Sequence, residues 1–182
     1  MTGIKVVPVL AVQGGSPVCS AAWPSWPQCG EHTLARVANA LTSGRWAVSG
    51  PSTGRPSIDA ELADRFAAFV GVPHCVPVDH GSSALVASLT ALGVGPGDEV
   101  VVPGLTWVAC ASAVLRTGAV PVLADIESAT LCLDPAAVEA ALTPRTVAVL
   151  AVHLYSAMAD MDRLRAITQR AGLALIEDAA QA

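Results

Sequence analysis

A chain of 182 residues, 53% hydrophobic and 14% charged, fits one globular domain yet carries more apolar surface than such a domain usually hides alone. A further segment or a partner subunit is therefore expected to cover part of it. Its net charge of −5, with Lys5 the single lysine among ten basic residues and no basic stripe, argues against nucleic-acid binding, and five widely spaced cysteines (Cys19, Cys29, Cys75, Cys110, Cys132) with no C-x-x-C pair argue against a disulfide framework or a metal site.

Met1 to Val12 is too short and too interrupted by Pro8 to be a secretory leader, and the charge-free run from Val6 to Gly30 is studded with Gly and Pro. Neither reads as a membrane helix, so a cytoplasmic protein with reduced thiols is expected. Residues 13–29 hold Pro, Gly, Ser and the tryptophans Trp23 and Trp26 without periodicity, as in an arm that lies on another surface through its aromatics. A helix is predicted over Glu31 to Leu41, a loop over Thr42 to Pro56, and an amphipathic helix over Ser57 to Val70 with Ile58, Leu62, Phe66 and Phe69 on one face. The arm and first helix, 1–56, are set apart from an α/β region over 57–182.

From residue 74 short apolar runs alternate with helical stretches. Cys75 to Val78, Glu99 to Val102, Val120 to Ala124, Thr146 to Val152 and Ala174 to Ile176 read as buried strands. Ser82 to Leu92, Thr106 to Thr117, Asp134 to Leu142 and Asp160 to Ala171 read as helices, the third opened by an Asp-Pro cap. The alternation predicts a mainly parallel sheet with flanking helices and right-handed crossovers, in which ligands sit beyond the carboxyl ends of the strands.

Three segments fall at such ends. Asp79-His80-Gly81-Ser82-Ser83 opens a helix whose unpaired N–H groups, dipole and serine hydroxyls suit an anion, although an ordinary N-cap has the same look. Trp107, in Pro103-Gly104-Leu105-Thr106-Trp107, offers a face on which a ring can stack, or packs in a core. Asp178 follows the last strand, where a carboxylate can keep a pyridine nitrogen protonated or simply cap a helix, and Gln181 can donate to a ring oxygen. Weaker candidates for substrate contact are His153 and Tyr155, after the strand 146–152, and Arg45 and Ser49 in the loop before the core.

The segments HGSSAL, PGLTW, Asp125-Ile126 with Leu133-Asp134-Pro135, and EDAAQA resemble the DegT/DnrJ/EryC1/StrS aminotransferases, enzymes that depend on pyridoxal 5'-phosphate (PLP) and aminate sugars and cyclitols. The resemblance runs from about Gly14 to Ala182. It implies the large domain of a fold-type I PLP-dependent transferase, incomplete at its C-terminus. By it, Gly81, Ser82 and Ser83 match phosphate-binding positions, Trp107 the stacking aromatic, Asp178 the partner of the ring nitrogen and Gln181 the donor to the ring oxygen. Ser82 stands where the family often has threonine and His80 where it often has serine.

Further segments, WPSWPQ, SGRWAVSGP, VVPGLTWVACAS and VHLYSAMADMD, are similar to family members that aminate cyclitols. They imply L-glutamine as amino donor, 2-deoxy-scyllo-inosose as acceptor, a role in aminoglycoside antibiotic formation and a homodimer at full length. The Schiff-base lysine is expected beyond Ala182, Lys5 being no substitute, so the chain as it stands is expected to be inactive in transamination. Other readings are a nucleotide-sugar or aminobenzoate-type aminotransferase of the same family, and a non-catalytic domain that binds PLP or a sugar.

Overall fold

The computed structural model describes residues 9–46 and 57–182, and the chain divides into two compact units, Met1–Cys75 and Val76–Ala182. In the first, a short 3-10 turn over Ala11–Gln13 precedes helix α1 (Glu31–Thr42) and helix α2 (Ile58–Val70). Ser57 caps α2 by accepting the Ala60 N–H at 3.2 Å, and Gly71, at φ +76°, ends it in the left-handed conformation that glycine tolerates best. Arg36 on α1 pairs with Glu61 on α2 at 2.8 Å. The expected apolar face of α2 forms, but Ile58, Leu62, Phe66 and Phe69 all remain exposed, Phe69 at 87%.

The second unit is an α/β layer structure. Helix α3 (Gly81–Ala91) leads to strand β1 (Glu99–Pro103), helix α4 (Ala109–Arg116), strand β2 (Val120–Ala124) and helix α5 (Pro135–Ala141). Strand β3 (Thr146–Val152), helix α6 (Met161–Ala171) and strand β4 (Ala174–Asp178) complete it. The four strands lie in the order β2-β1-β3-β4, every neighbouring pair parallel, as the alternating pattern requires.

Uninterrupted apolar runs in the central strands reflect a sheet covered on both faces. Val100 and Val102 of β1, Ala148, Leu150 and Val152 of β3 and Ile176 of β4 pack with α3 and α4. Val101, Val149 and Ala151 turn to the opposite face, against α5 and α6. The alternation of side chains along a strand therefore decides which residues at its carboxyl end face α3 and α4. Asp134 caps α5 by accepting the Ala136 N–H at 2.8 Å, and Asp160 caps α6 by accepting from Arg163 at 3.1 Å.

Three boundaries differ from expectation. Residues 75–78 form no strand: Pro77 has no N–H to give a ladder, and Val76 and Val78 are exposed rather than buried. The helix expected from Thr106 begins at Ala109. Strand β4 runs on to Asp178, which is paired with Val152 instead of lying past the strand. Among the described residues no helix is long and apolar enough to cross a membrane, and no group of three or more His, Cys, Asp or Glu could hold a metal ion.

Candidate active site

The order β2-β1-β3-β4 reverses direction between β1 and β3, because the chain leaves β1 toward β2 and returns to β3 on β1's other side. At such a switch point the loops diverge and leave a crevice at the carboxyl ends of the strands. A cavity of about 340 Å³ lies there, lined by His80, Gly81, Ser82, Thr106, Trp107, Val152, Asp178 and Gln181.

Each wall has a local cause. The α3 wall follows from His80, whose Nδ1 accepts the Ser83 N–H at 3.1 Å and so caps the helix. That leaves the first N–H groups of α3 and the Ser82 side chain at the cavity, in the direction where the helix dipole favours an anion. A Cβ built on Gly81 would meet nothing within 4 Å, so the cradle is open above the backbone. Beside it, the Ser83 hydroxyl helps hold the Asp79 carboxyl below the ordinary carboxylate range, against a smaller opposing effect of desolvation.

The second wall comes from β1. Gly104 donates its N–H to the Ala124 carbonyl at 2.8 Å, and a Cβ at Gly104 would lie 3.3 Å from that oxygen. The glycine lets the chain turn tightly over the end of β2 and deliver Thr106 and Trp107 to the cavity. Trp107 is 69% exposed, its indole a surface available for stacking rather than a piece of core.

The third wall is the end of β4. Asp178 falls in the same alternation as Ala174 and Ile176, which pack on the α3 and α4 side. Its Oδ1 accepts the Ala180 N–H at 3.0 Å, and its Oδ2 accepts the Cys110 S–H at 3.5 Å. Burial, together with the Asp178 charge, pushes the Cys110 thiol up to about 11, although the Thr106 hydroxyl acts in the other direction. Gln181 is oriented through its Oε1, which accepts the Tyr155 N–H at 3.1 Å.

Of the residues singled out in the sequence, Gly81, Ser82, Trp107, Asp178 and Gln181 share this cavity. Ser83 is the next residue of α3 but is engaged with His80. His153 is buried, accepts the Ala159 N–H on Nδ1 at 3.2 Å and meets Glu177 Oε2 through Nε2 at 3.3 Å. Its partner Glu177 neighbours Asp178 on the strand and so points to the other face, and His153 does not line the cavity. Tyr155 is 70% exposed and reaches the site through its backbone. Arg45, in the first unit, borders a separate cavity of about 250 Å³ with Leu41, Trp46, Ile58 and Asp59. Ser49 lies outside the described residues.

Cys110 and Thr106 escaped the sequence reading. No local signal marks the pair, since Thr106 lies in the loop before α4 and Cys110 in its first turn. The Thr106 hydroxyl lies 3.8 Å from the Cys110 sulfur.

The family model for the DegT/DnrJ/EryC1/StrS aminotransferases matches residues 27–182. The L-glutamine:2-deoxy-scyllo-inosose aminotransferase of Streptomyces paromomycinus is 56% identical over 95% of this chain, which spans 41% of that relative's length. Among solved structures, 3-amino-5-hydroxybenzoic acid synthase is 40% identical with a TM-score of 0.80, over 88% of this chain and 41% of its own. A Bacillus subtilis protein solved with bound cofactor PMP is 33% identical with a TM-score of 0.71, over 81% of this chain and 33% of its own.

Proposed function

Since the chain belongs to the DegT/DnrJ/EryC1/StrS aminotransferase family, we propose that its cavity is the PLP site of an aminotransferase that passes the amino group of L-glutamine to 2-deoxy-scyllo-inosose. The observation that carries this reading is the convergence of Gly81, Ser82, Trp107, Asp178 and Gln181 on one cavity. The donor set suits the group in kind and in order. Helix N–H groups and a hydroxyl meet a phosphate, an indole meets a flat ring, and a carboxylate meets a ring nitrogen.

Bound PLP supplies an electron sink that stabilises negative charge developing at the substrate carbon. The chain's own residues make that sink effective. Asp178 holds a proton at the ring nitrogen, because an adjacent negative charge favours the protonated form. Trp107 restrains the ring's tilt and keeps water from one face. Gly81 and Ser82 anchor the phosphate, so the ring's position is set from two ends. Gln181, its oxygen occupied by Tyr155, turns its amide N–H₂ to the ring oxygen. We place the lysine that would hold the cofactor covalently in the part of the relatives' length that this chain does not span, and expect the full-length protein to pair with a second copy of itself.

The test is amino transfer by the protein at its natural length, supplied with PLP and L-glutamine and offered 2-deoxy-scyllo-inosose, a nucleotide-linked keto sugar or an aminobenzoate-type precursor in parallel. Formation of 2-deoxy-scyllo-inosamine with little turnover of the others supports the reading. Preference for another acceptor keeps the cofactor site and reassigns the substrate. Failure to bind PLP removes the cofactor site itself.

A further inference from the structure

We propose that Cys110 is a positioning residue, which holds the Asp178 carboxylate in the orientation its partner ring nitrogen needs; this inference rests on the PLP reading of the cavity. An ionised carboxylate accepts on two oxygens with about four lone-pair sites. In Asp178 one donor is fixed on each oxygen: the Ala180 N–H on Oδ1 at 3.0 Å and the Cys110 S–H on Oδ2 at 3.5 Å. The backbone donor comes from the same short turn and moves with it. The thiol comes from α4, across the sheet face, and ties the carboxylate to a different element of the fold.

Cys110 has no exposed surface, so its S–H is not shared with bulk water. Thr106, in the loop before α4 and itself on the cavity wall, places its hydroxyl against the sulfur and limits the thiol's rotation. The thiol stays protonated across the range in which enzymes work, since burial and the neighbouring carboxylate raise it to about 11. It is therefore a permanent donor. It is also a weak one, which orients the carboxylate while leaving most of its basicity for the ring nitrogen. A set of strong donors would stabilise the anion and weaken that partnership.

The test compares Cys110→Val with Cys110→Thr in the protein at its natural length. The two side chains have the same shape, and only threonine carries a donor. Expected are a PLP dissociation constant about tenfold higher for Cys110→Val and within about twofold of the parent for Cys110→Thr, with the two apo-proteins melting together. Equal affinities for the two variants would overturn the inference.

A second measurement needs no cofactor. With the other four cysteines replaced by serine, the S–H stretching band of Cys110 should lie at lower frequency in the parent than in Asp178→Ala. An unmoved band means that no hydrogen bond joins the two and also overturns the inference. Failure of the underlying reading looks different: Asp178→Ala would then bind PLP as well as the parent does, whatever the band shows.

Discussion

The Tyr155 N–H donates to Gln181 Oε1 at 3.1 Å, while the Ser156 N–H donates to the Gln181 carbonyl at 2.8 Å. This joins the turn after β3 to the turn after β4. Tyr155 and Ser156 hold φ values of +52° and +64°, a left-handed pair that costs non-glycine residues roughly 1 kcal/mol or more each. The turn is retained because it points two consecutive N–H groups at one glutamine. With Oε1 committed, the amide nitrogen is the part of Gln181 left to face the cavity. Substitution Gln181→Glu keeps the acceptor for Tyr155 and replaces the donor with a charged oxygen. The expected result, read by absorbance titration, is PLP binding weakened at least tenfold with little change in melting, as loss of one hydrogen bond to a charged group costs about 1.5–3 kcal/mol.

Trp107 presents the opposite balance between fold and site. Its 69% exposure means that Trp107→Ala removes little buried surface from the apo-protein, so its melting temperature should hardly move. Lost stacking of about 0.5–1.5 kcal/mol, with lost contact area in addition, predicts a PLP dissociation constant roughly tenfold higher. Trp107→Phe should recover most of the difference. If melting falls sharply while PLP affinity stays the same, the indole is a core residue and the stacking assignment is wrong.

The central strands were legible because their code is redundant. Val100 to Val102 and Val147 to Val152 are apolar without interruption, and a sheet buried on both faces is the structure that tolerates such runs. Residues 75–78 carry a similar apolar pattern and form no strand, because Pro77 removes a ladder donor and no partner is in place among the described residues. The candidate site was legible in outline because Trp107 follows β1 and Asp178 ends β4, whereas Gly81 reaches the same cavity from the start of α3 with no strand before it. His153 was not, because alternation puts it on the α5 and α6 face with Glu177, and which face a polar residue takes at a strand end depends on register across the sheet. Cys110 was hidden for a related reason. Nothing local marks a helical thiol as the partner of a carboxylate 68 positions later in the chain.

The cysteines should separate by reactivity. Cys19 and Cys29 are exposed, whereas Cys110 and Cys132 are buried, and the Cys110 thiol is further protected by its raised protonation range. Only thiolate reacts with an alkylating agent. Iodoacetamide at neutral pH should therefore modify Cys19 and Cys29 rapidly, and Cys110 and Cys132 only when denaturant is added, as read by peptide mass spectrometry. Rapid native labelling of Cys110 would show that the α4 side of the cavity opens to solvent.

Glu99 contributes to the acid sensitivity of the fold. It stands at the start of β1, buried, with Thr143 donating at 2.5 Å and the Arg145 guanidinium at 2.9 Å through Nε and again through its terminal nitrogen. The Thr143 hydroxyl first, and Arg145 with it, hold the Glu99 carboxyl below its ordinary value of 4.5, outweighing desolvation. A folded-state value below the unfolded one means that the ionised group stabilises the fold at pH above about 4.5. That contribution is lost as pH falls from there through the folded value. Glu99→Gln, which cannot ionise and loses its attraction to Arg145, should melt lower than the parent at pH 7. The gap between the two should close as pH is taken below 4.5, where the parent becomes protonated. Thermal melts of both proteins from pH 7 to pH 3 check this, and a gap that is independent of pH would assign the role of Glu99 to packing instead of charge.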